Sequence, residues 1–325
     1  MLVAVYYNNQ DIRLEERPVP KIKTGELLVK VLASGICGTD LMQWYRAKSA
    51  PRVLGHEIAG EIVESKSKKF KIGSRVFVSH HVPCNTCKYC RSGNHTACEQ
   101  LHKGNYEPGG YSEFIRVPRE NVELGTYVLP KNISYPEAAM IEPLACAIRS
   151  QRMIGMDKGQ LVLVLGSGVS GLLNICLAKL KGAKVVATDI DGYRLKKAKE
   201  FGADRVVDAR VKLKIKADRI IVCTGAQEAA KSAFDYIDRK GVILFFAIPE
   251  RNIEVPIVDF WRNEITAASS YGAAPLDLAE AIKLIKDRKV DVKSMITHTL
   301  ALKDIQEAFK IAASPKDALK VVLVP

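Results

Sequence analysis

Four cysteines lie close together in the first third of the chain. They follow the spacing C-x2-C-x2-C-x7-C within fifteen residues, and the intervening Pro, Asn, Gly and Lys residues oppose regular structure. Four thiolates so close in sequence suit a closed tetrahedral zinc site. We therefore predict a loop-rich lobe held together by a structural zinc ion, whose ligands are Cys84, Cys87, Cys90 and Cys98.

Disulfides and an iron–sulfur cluster are the alternatives for these cysteines. Disulfides are typical of secreted proteins, whereas nothing at Met1 resembles a signal peptide, and we expect a cytoplasmic protein. The run C-x2-C-x2-C resembles ferredoxin spacing, but ferredoxins place the fourth cysteine after three residues, and the gap here is seven. The spacing therefore favours zinc.

A second set of potential metal ligands is dispersed along the chain. Sulfur, nitrogen and carboxylate ligands from separate segments are typical of catalytic zinc, because an incomplete protein shell leaves a position for substrate or water. Each residue alone also has a structural interpretation, such as a packed cysteine, a buried histidine or a carboxylate at a helix N-terminus. The set is Cys37 in SGICGTD, His56 and Glu57 in LGHEIAGEI, and Glu142 in MIEPLACA. Which of the two glutamates ligates zinc at rest stays open.

A glycine-rich segment follows the apolar run from Leu161 to Leu165, which predicts a buried parallel strand. The pattern G-x-G-x-x-G then opens a predicted helix that ends near Lys181. Its first glycine permits a tight turn, its second lets a pyrophosphate approach the backbone, and its third allows close helix–strand packing. The helix N-terminus adds free N–H groups and positive dipole. The predicted dinucleotide-binding residues are Gly166, Gly168, Val169, Ser170 and Gly171.

An aspartate eighteen residues after Gly171 ends a second apolar strand, Lys184 to Thr188. A carboxylate at this position accepts hydrogen bonds from the adenosine ribose and repels a 2'-phosphate, so Asp189 favours NAD over NADP. Arg194 is close enough in sequence to contact the same part of the cofactor. The alternative role of Asp189 is to cap the following helix, YRLKKAKEFG.

These residues require two kinds of scaffold. Short strands punctuated by Gly and Pro precede Ala147, and this pattern predicts a mostly-β catalytic domain. Strands then alternate with helices, which predicts a doubly wound α/β domain. These patterns assign 1–147 to the catalytic domain and 148–272 to the nucleotide-binding domain. The six predicted strands of the latter begin at Leu161, Lys184, Arg205, Arg219, Val242 and Ile265.

The connection between Asp208 and Arg219 is unusually short. A parallel crossover normally needs a dozen or more residues and a helix, whereas only ARVKLKIKAD separates these two strands. We therefore predict that the crossover helix here is trimmed or lost.

Composition agrees with a two-domain globular enzyme. The chain has 325 residues, of which 47% are hydrophobic and 26% charged. No apolar run reaches membrane-spanning length, so no membrane partner is expected. The net charge of +13 comes from scattered Lys and Arg residues, which are typical of solvated helix faces rather than of a nucleic-acid surface.

Over nearly its whole length the chain resembles the zinc-dependent medium-chain alcohol and polyol dehydrogenases. Several motifs occur in the order that the family has them. They are CGTD at Cys37, GHEIAGEIVE at Gly55, the four-cysteine lobe, GGYSEF at Gly109, EPLACA at Glu142, GSGVSG at Gly166 and the C-terminal ALKVVLVP.

The resemblance implies more than the residues alone. It implies a GroES-like catalytic domain to which the C-terminal tail returns, so that this domain comprises 1–147 and 273–325. It also implies homodimers or homotetramers. The glutamate at position 142 is similar to the sorbitol and threonine dehydrogenase branches, which implies a polyol or another secondary alcohol as substrate. It also implies that Thr39 passes a proton from the substrate hydroxyl toward solvent.

The resulting hypothesis is a zinc enzyme, with two zinc ions per chain, that transfers a hydride between a secondary alcohol or polyol, either a sugar alcohol or a cyclitol, and NAD. One alternative is an L-threonine 3-dehydrogenase, because His81 precedes the cysteine lobe as in that branch. Another is a non-catalytic zinc module that binds nucleic acid through a basic surface, although the glycine fingerprint would then have no role.

Overall fold

The computed structural model describes residues 1–314 and 316–325, and of His102 only the backbone. These residues form two units, Met1–Ala145 with Ala273–Pro325, and Cys146–Gly272. The predicted boundary at residue 147 lies two residues beyond the observed one, and both fall inside a single helix, Ile141–Met153.

Strands dominate the first part of the chain. The strands are β1 (Leu2–Asn8), β2 (Asp11–Glu16), β3 (Leu27–Gly35), β4 (Arg52–Val53), β5 (Glu57–Ser65), β6 (Arg75–Val78), β7 (Phe114–Val117) and β8 (Thr126–Val128). The α-helices are α1 (Gln43–Arg46), α2 (Lys88–Arg91), α3 (Arg119–Gly125), α4 (Tyr135–Ala139) and α5 (Ile141–Met153). Short 3-10 helices cover Gly38–Leu41, Ala47–Ser49, His95–Ala97 and Glu99–His102.

Strands and helices alternate in the second unit. Its strands are β9 (Leu161–Leu165), β10 (Lys184–Asp189), β11 (Arg205–Asp208), β12 (Ala217–Val222), β13 (Ile237–Phe245) and β14 (Thr266–Ser269). Its helices are α6 (Val169–Leu180), α7 (Gly192–Glu200), α8 (Gln227–Tyr236) and α9 (Ile257–Asn263).

The six strands of the second unit form one parallel sheet in the order β11-β10-β9-β12-β13-β14. This is the order of a dinucleotide-binding Rossmann sheet, and it reverses direction between β9 and β12. The central strands are buried over most of their length because helices cover both faces of such a sheet. The predicted doubly wound fold is confirmed.

The connection from β11 to β12 contains no helix in residues 209–216. It must cross two strands and return along the sheet, a path of roughly 25 Å that eight extended residues can just span. Leu213 is buried in this connection and packs into the core below the sheet. The predicted loss of the crossover helix is confirmed.

The C-terminal segment belongs to the first unit. It contains α10 (Pro275–Lys286), β15 (Ile296–Ala301), α11 (Ile305–Ala313) and β16 (Lys320–Val324), with 3-10 helices at Lys293–Met295 and Leu302–Asp304. Strand β16 pairs with β3 in an antiparallel manner and with β15 in a parallel manner. The tail therefore supplies the side chains of β16 to the same sheet as β3.

Two sheets make up the first unit. One has three strands in the order β2-β1-β4. The other has seven strands and runs β15-β16-β3-β5-β6-β8, with β7 also paired to β3. The larger apolar cores of this unit lie around Tyr6, Tyr111 and Phe309 and around Ile58 and Ile115. The predicted mostly-β domain is confirmed.

Among the described residues, no helix combines the length and the apolar character needed to cross a bilayer.

Candidate metal and cofactor sites

The pairing of β3 with β5 gathers the first set of predicted ligands. Gly35 lies opposite Glu57 in this antiparallel register, and Ser34 lies opposite Ile58. Cys37 follows the end of β3 by two residues, and His56 directly precedes β5. Cys37 and His56 are nineteen residues apart in sequence. The β3–β5 pairing brings them together at one end of these two strands.

Cys37, His56 and Glu57 each offer one donor atom, and these three atoms all lie within 4.8 Å of one another. Zinc bonds of about 2.0–2.3 Å place tetrahedral ligand atoms roughly 3.3–3.8 Å apart, so small side-chain adjustments suffice to enclose an ion. The set of one thiolate, one imidazole and one carboxylate leaves a fourth position for a substrate oxygen. The residues therefore fit a catalytic zinc ion.

Asp40 anchors the histidine of this group. Its side chain is fully buried, its Oδ1 lies 3.7 Å from Nδ1 of His56, and its Oδ2 accepts a hydrogen bond of 2.7 Å from the Tyr111 hydroxyl. Its Oδ2 also accepts a weak bond from the Cys37 N–H at 3.4 Å. At 3.7 Å the carboxylate is in ion-pair range of Nδ1 without a hydrogen bond, and it leaves the other ring nitrogen for the metal.

The charges around His56 stabilise a cation at this position. Burial lowers the pKa of His56, but the negative charges of Asp40 and Cys37 outweigh it and raise the pKa to about 10. In the absence of metal this positive charge is a proton. A bound divalent ion would supply positive charge to the same group of anions and displace that proton.

Thr39 connects the metal-ligand group, which comprises Cys37, His56 and Glu57, to the guanidinium of Arg46. Its hydroxyl donates to the Cys37 sulfur at 3.3 Å and accepts a bond of 3.0 Å from Nη2 of Arg46. Arg46 also donates to the Thr39 carbonyl at 3.1 Å and to Oδ1 of Asp40 at 2.8 Å. One arginine therefore positions both Thr39 and the aspartate behind His56.

Glu57 forms an ion pair with Lys320, which reaches the site from β16. Both side chains are almost fully buried, and the Lys320 ammonium also donates to the Ile36 carbonyl at 3.0 Å. Burial lowers the pKa of Lys320, but Glu57 and Cys37 outweigh it and raise that pKa above its usual value. Cys37 and Glu57 bring two negative charges to the site. Lys320 neutralises one of them, and a zinc ion would otherwise have to balance both alone.

Replacing Lys320 with Met is expected to lower the free energy of unfolding by about 3–5 kcal/mol, because it leaves the buried Glu57 carboxylate without its cation. The matched double variant, E57Q/K320M, removes both charges and should recover most of that loss. Urea unfolding of the two variants and the parent measures the effect. A K320M variant as stable as the parent would show that the ion pair contributes little.

Glu142 lies near the group without belonging to it. It is buried at the start of α5, and its negative charge contributes to the raised pKa values of His56 and Lys320. The set of donor atoms within 4.8 Å of one another contains Glu57 and not Glu142, among the residues that the structure describes. The geometry without metal thus places Glu57, of the two candidate glutamates, beside Cys37 and His56.

Arg116 has a structural role in the first unit. Its guanidinium binds both carboxylate oxygens of Glu26, at 2.7 and 2.6 Å, and reaches Glu107 at 2.8 Å. Such a bidentate pair occupies most of the donors of the guanidinium. Arg116 therefore links Glu26 and Glu107 and has few donors left for other partners.

The four-cysteine lobe closes around one point. Three sulfur–sulfur distances measure 3.5 Å (Cys87 to Cys90), 3.6 Å (Cys98 to Cys84) and 4.0 Å (Cys84 to Cys90). Zinc–sulfur bonds of about 2.3 Å require tetrahedral sulfur atoms roughly 3.8 Å apart, whereas a disulfide requires about 2.05 Å. The disulfide alternative is therefore wrong, and the four residues fit a single zinc ion.

Hydrogen bonds to the Cys84 sulfur favour its thiolate form, which is the form that binds zinc. The sulfur of Cys84 accepts bonds from the Thr86 side chain, the Thr86 N–H and the Cys87 N–H, and these lower the pKa of Cys84 to about 5. Burial has the opposite effect on Cys90 and raises its pKa. The apolar core of the lobe is small and includes Leu101 and the cysteines themselves. A metal is therefore expected to hold the lobe together.

The glycine loop between β9 and α6 has the geometry that its sequence predicts. Gly166 has φ +93°, a conformation that other residues rarely adopt, and a Cβ on Gly171 would lie 2.1 Å from the Gly166 carbonyl oxygen. A Cβ on Gly168, the N-cap of α6, would meet no atom within 4 Å. Val169 and Ser170 form the first turn of α6, where free N–H groups can bind phosphate. The loop therefore fits a pyrophosphate.

Asp189 lies at the carboxyl end of β10 beside this loop. Its Oδ2 accepts the Ser167 N–H at 2.8 Å and its Oδ1 accepts the Asp191 N–H at 3.0 Å. Helix α7 is capped by Asp191, which accepts the Arg194 N–H at 2.9 Å, so the alternative role of Asp189 as that cap is wrong. The Nε of Arg194 is buried and has no hydrogen-bond partner among the described residues.

Comparison with known proteins matches both units. The family model described as alcohol dehydrogenase GroES-like domain matches residues 23–126, and the model described as zinc-binding dehydrogenase matches residues 170–287. A sorbitol dehydrogenase from Halalkalibacterium halodurans is 32% identical, over 100% of this chain and 98% of that protein. The chain belongs to the medium-chain zinc-dependent dehydrogenase family.

Other members have related names and folds. An L-galactonate-5-dehydrogenase from Escherichia coli K12 is 30% identical, over 95% of this chain and 94% of that protein. An alcohol dehydrogenase from E. coli CFT073, solved with NADH, is 26% identical with a TM-score of 0.88 and covers 100% of this chain and 99% of that one. A zinc-binding dehydrogenase from Sinorhizobium meliloti, solved with NADP, is 25% identical with a TM-score of 0.88 and has the same coverage.

Several residues that surround the metal-ligand group were not predicted from the sequence. Asp40 and Lys320 stand inside quoted motifs, CGTD and ALKVVLVP, and a charged residue within an otherwise apolar strand was the available signal for the lysine. Tyr111 likewise stands inside a quoted motif, GGYSEF. Arg46 carried no such signal, because its role depends on which side chains the fold brings beside it. His80, whose ring centroid lies 4.9 Å from that of His56, belongs to the same group of residues.

Proposed function

We propose that this protein oxidises a secondary hydroxyl group of a polyol, with NAD+ as the hydride acceptor and zinc as the catalytic metal. The alcohol carbon loses a hydride and its oxygen loses a proton, so the products are a ketone, NADH and a proton. The observation that carries the proposal is the convergence of one thiolate, one imidazole and one carboxylate within 4.8 Å, in a chain that also has a complete glycine fingerprint.

Cys37, His56 and Glu57 would hold the catalytic ion, and Glu142 is the nearby carboxylate available for exchange with Glu57. When bound, zinc supplies a Lewis acid that polarises the substrate hydroxyl. Asp40 keeps the imidazole in its binding orientation, since it is fully buried behind the ring. Lys320 limits the net negative charge of the ligand set.

Thr39 is the proposed proton carrier. Its hydroxyl has one donor and two acceptor positions, of which the donor faces Cys37 and one acceptor position binds Arg46. As the remaining lone pair accepts the proton of the substrate hydroxyl, Thr39 would release its own O–H proton, which turns away from Cys37 toward the cofactor ribose and solvent. Because a guanidinium donates and does not accept, Arg46 keeps the hydroxyl oriented without competing for the proton.

NAD is the proposed cofactor rather than NADP. The Asp189 carboxylate lies beside the glycine loop with one backbone bond to each oxygen, so both oxygens retain acceptor capacity for ribose hydroxyls. Its negative charge opposes a 2'-phosphate. The loop residues from Gly166 to Gly171, with Arg194, would complete the cofactor site.

A polyol is the proposed substrate class because the relatives named above act on sorbitol and on L-galactonate, as their names state. The test is NADH formation with sorbitol, xylitol, a cyclitol, an aldonic acid, L-threonine and ethanol. Turnover of a polyol or aldonic acid above the others supports the proposal. Turnover of L-threonine alone, or of ethanol alone, would overturn the substrate class.

We further propose a homodimer formed through the edge of the nucleotide-binding sheet. Strand β14 pairs only with β13 among the described strands, so its outer edge presents unpaired N–H and C=O groups. Helix α9, which precedes β14, exposes large apolar side chains: Ile257 is 70%, Val258 61% and Trp261 78% exposed. A second copy related by two-fold symmetry would pair this edge and cover these side chains.

Replacing Trp261 with Asp is expected to convert the dimer to monomer, measured by light scattering during size-exclusion chromatography. The control is V211D, since Val211 is 56% exposed in the connection that follows β11, at the opposite edge of the same sheet. A monomeric parent, or a W261D variant that remains dimeric, would contradict the proposed interface.

We also propose that the protein acts in the cytoplasm. All eight cysteines are free of disulfides, and those of the metal-ligand groups must be reduced to bind zinc.

A further inference from the structure

An aspartate–arginine pair stands next to the predicted ribose ligand. Asp189 and Asp208 end the adjacent parallel strands β10 and β11, and the two residues are direct partners in the sheet register. The Ala209 N–H bonds to the Asp189 carbonyl at 2.9 Å, which ties the start of the following connection to β10. The carboxyl ends of these strands form the side of a Rossmann sheet where ligands bind.

The side chain of Arg210 turns back over this edge. Its Nε and Nη2 bind the two oxygens of Asp208 at 2.8 and 2.6 Å, and Nη2 also donates to the Ile190 carbonyl at 3.1 Å. Ile190 is the residue directly after Asp189. The Arg210 guanidinium is therefore bound to the residue that directly follows the predicted ribose ligand. In NADP-binding members of this fold, a guanidinium is the group that accommodates the 2'-phosphate.

We propose that Asp208 acts as a latch on Arg210 and thereby determines the cofactor preference. While the carboxylate occupies two of its donors, the guanidinium offers little to a 2'-phosphate. Without the latch, Arg210 is free to bind the phosphate in a charge-assisted manner. This inference rests on the proposed preference for NAD and assigns a second residue to it.

The exposure of the pair keeps its role distinct from stability. The Arg210 side chain is 70% exposed and that of Asp208 36%, and ion pairs this exposed contribute little to folding. A change in Asp208 is therefore expected to leave the fold intact. Asparagine is the informative replacement. Its side-chain carbonyl, in the position of Oδ1, can still accept the backbone N–H of Arg210. Its NH2 group, in the position of Oδ2, cannot accept a hydrogen bond from the guanidinium.

The experiment measures the Kd of NAD+ and of NADP+ by calorimetry, without substrate, for the parent, D208N, R210Q and the double variant D208N/R210Q. The ratio Kd(NADP+)/Kd(NAD+) is expected to fall about tenfold in D208N, the usual effect of one charge-assisted hydrogen bond. It is expected to stay near the parent value in R210Q and in the double variant, which also has the net charge of the parent.

A matched control is D11N in the Asp11–Arg13 pair, which has the same two-residue spacing and the same bidentate geometry in the other unit. An unchanged ratio in D208N would overturn the latch, as would an equal fall in the double variant or in D11N. A large rise in R210Q would also overturn it, since Arg210 would already bind the phosphate. A parent that prefers NADP+ refutes the proposed cofactor instead, while the response to D208N still tests Arg210.

Discussion

Replacing Cys37 with Ser is expected to abolish turnover, with a loss of about a thousandfold or more in kcat, while NAD+ binding stays within about twofold of the parent. The hydroxyl of serine stays protonated at neutral pH and is a poor zinc ligand, whereas a thiolate is a strong one. Only His56 and Glu57 would remain of the three donors that lie within 4.8 Å of one another. Cofactor binding should survive because the glycine loop belongs to the other unit.

Metal analysis and calorimetry check this prediction together. The C37S variant should contain one zinc ion per chain, that of the cysteine lobe, and should titrate normally with NAD+. The control is C176S, because Cys176 belongs to neither set of candidate zinc ligands and a serine hydroxyl can replace the 3.7 Å bond that its sulfur donates to the Phe201 carbonyl. Retained activity in C37S with a single zinc ion would refute the catalytic site.

Replacing Cys87 with Ala is expected to release the zinc of the lobe and to lower Tm by about 10 °C, with kcat at low temperature largely retained. The lobe consists of short helices such as Lys88–Arg91 and has few apolar contacts beyond Leu101. Four thiolates without a metal would repel one another or bind protons in its place, as the raised pKa of Cys90 indicates.

The two cysteine variants should therefore separate the two sites. C87A should lose stability and keep its chemistry, whereas C37S should lose its chemistry and keep most of its stability. Zinc content, thermal unfolding and turnover of C87A are measured beside C176A, a cysteine outside both groups. Two zinc ions per chain and an unchanged Tm in C87A would show that the lobe does not bind metal.

The parts of the fold that sequence patterns predict well are local ones. The glycine loop depends on six consecutive residues, from Gly166 to Gly171, and on the strand and helix that flank them. The cysteine lobe depends on fifteen residues, from Cys84 to Cys98. In both cases the geometry follows from backbone conformation and short-range contacts, so spacing alone is informative.

The dispersed site needs the long-range pairing of strands. Nothing in the spacing of Cys37 and Glu57 states that Gly35 lies opposite Glu57, and a one-residue slip of β5 would turn the Glu57 side chain to the other face. The role of Lys320 is harder still, because β16 comes from the other end of the chain. The resemblance to a family supplied what periodicity could not.

The first residues of strand β13 are polar, and the sequence therefore did not predict where this strand begins. The predicted start at Val242 matches the point where the regular ladder with β12 begins, but the strand itself begins at Ile237. Asp238, Arg239 and Lys240 are exposed, and Lys240 adopts a positive φ of 56°, so this stretch has no apolar alternation to detect.

The zinc dependence of NADH formation, measured with the best substrate of the panel, tests whether the ion held by Cys37 is needed for turnover. Chelated enzyme is supplied with zinc in steps, and NADH production, bound zinc and thermal stability are followed in the parent, C37S and C87A. Activity in the parent is expected to rise with the zinc ion that C37S cannot bind, and C87A should reach similar activity with one zinc ion per chain. Full activity in the chelated parent, or in C37S, would contradict this expectation.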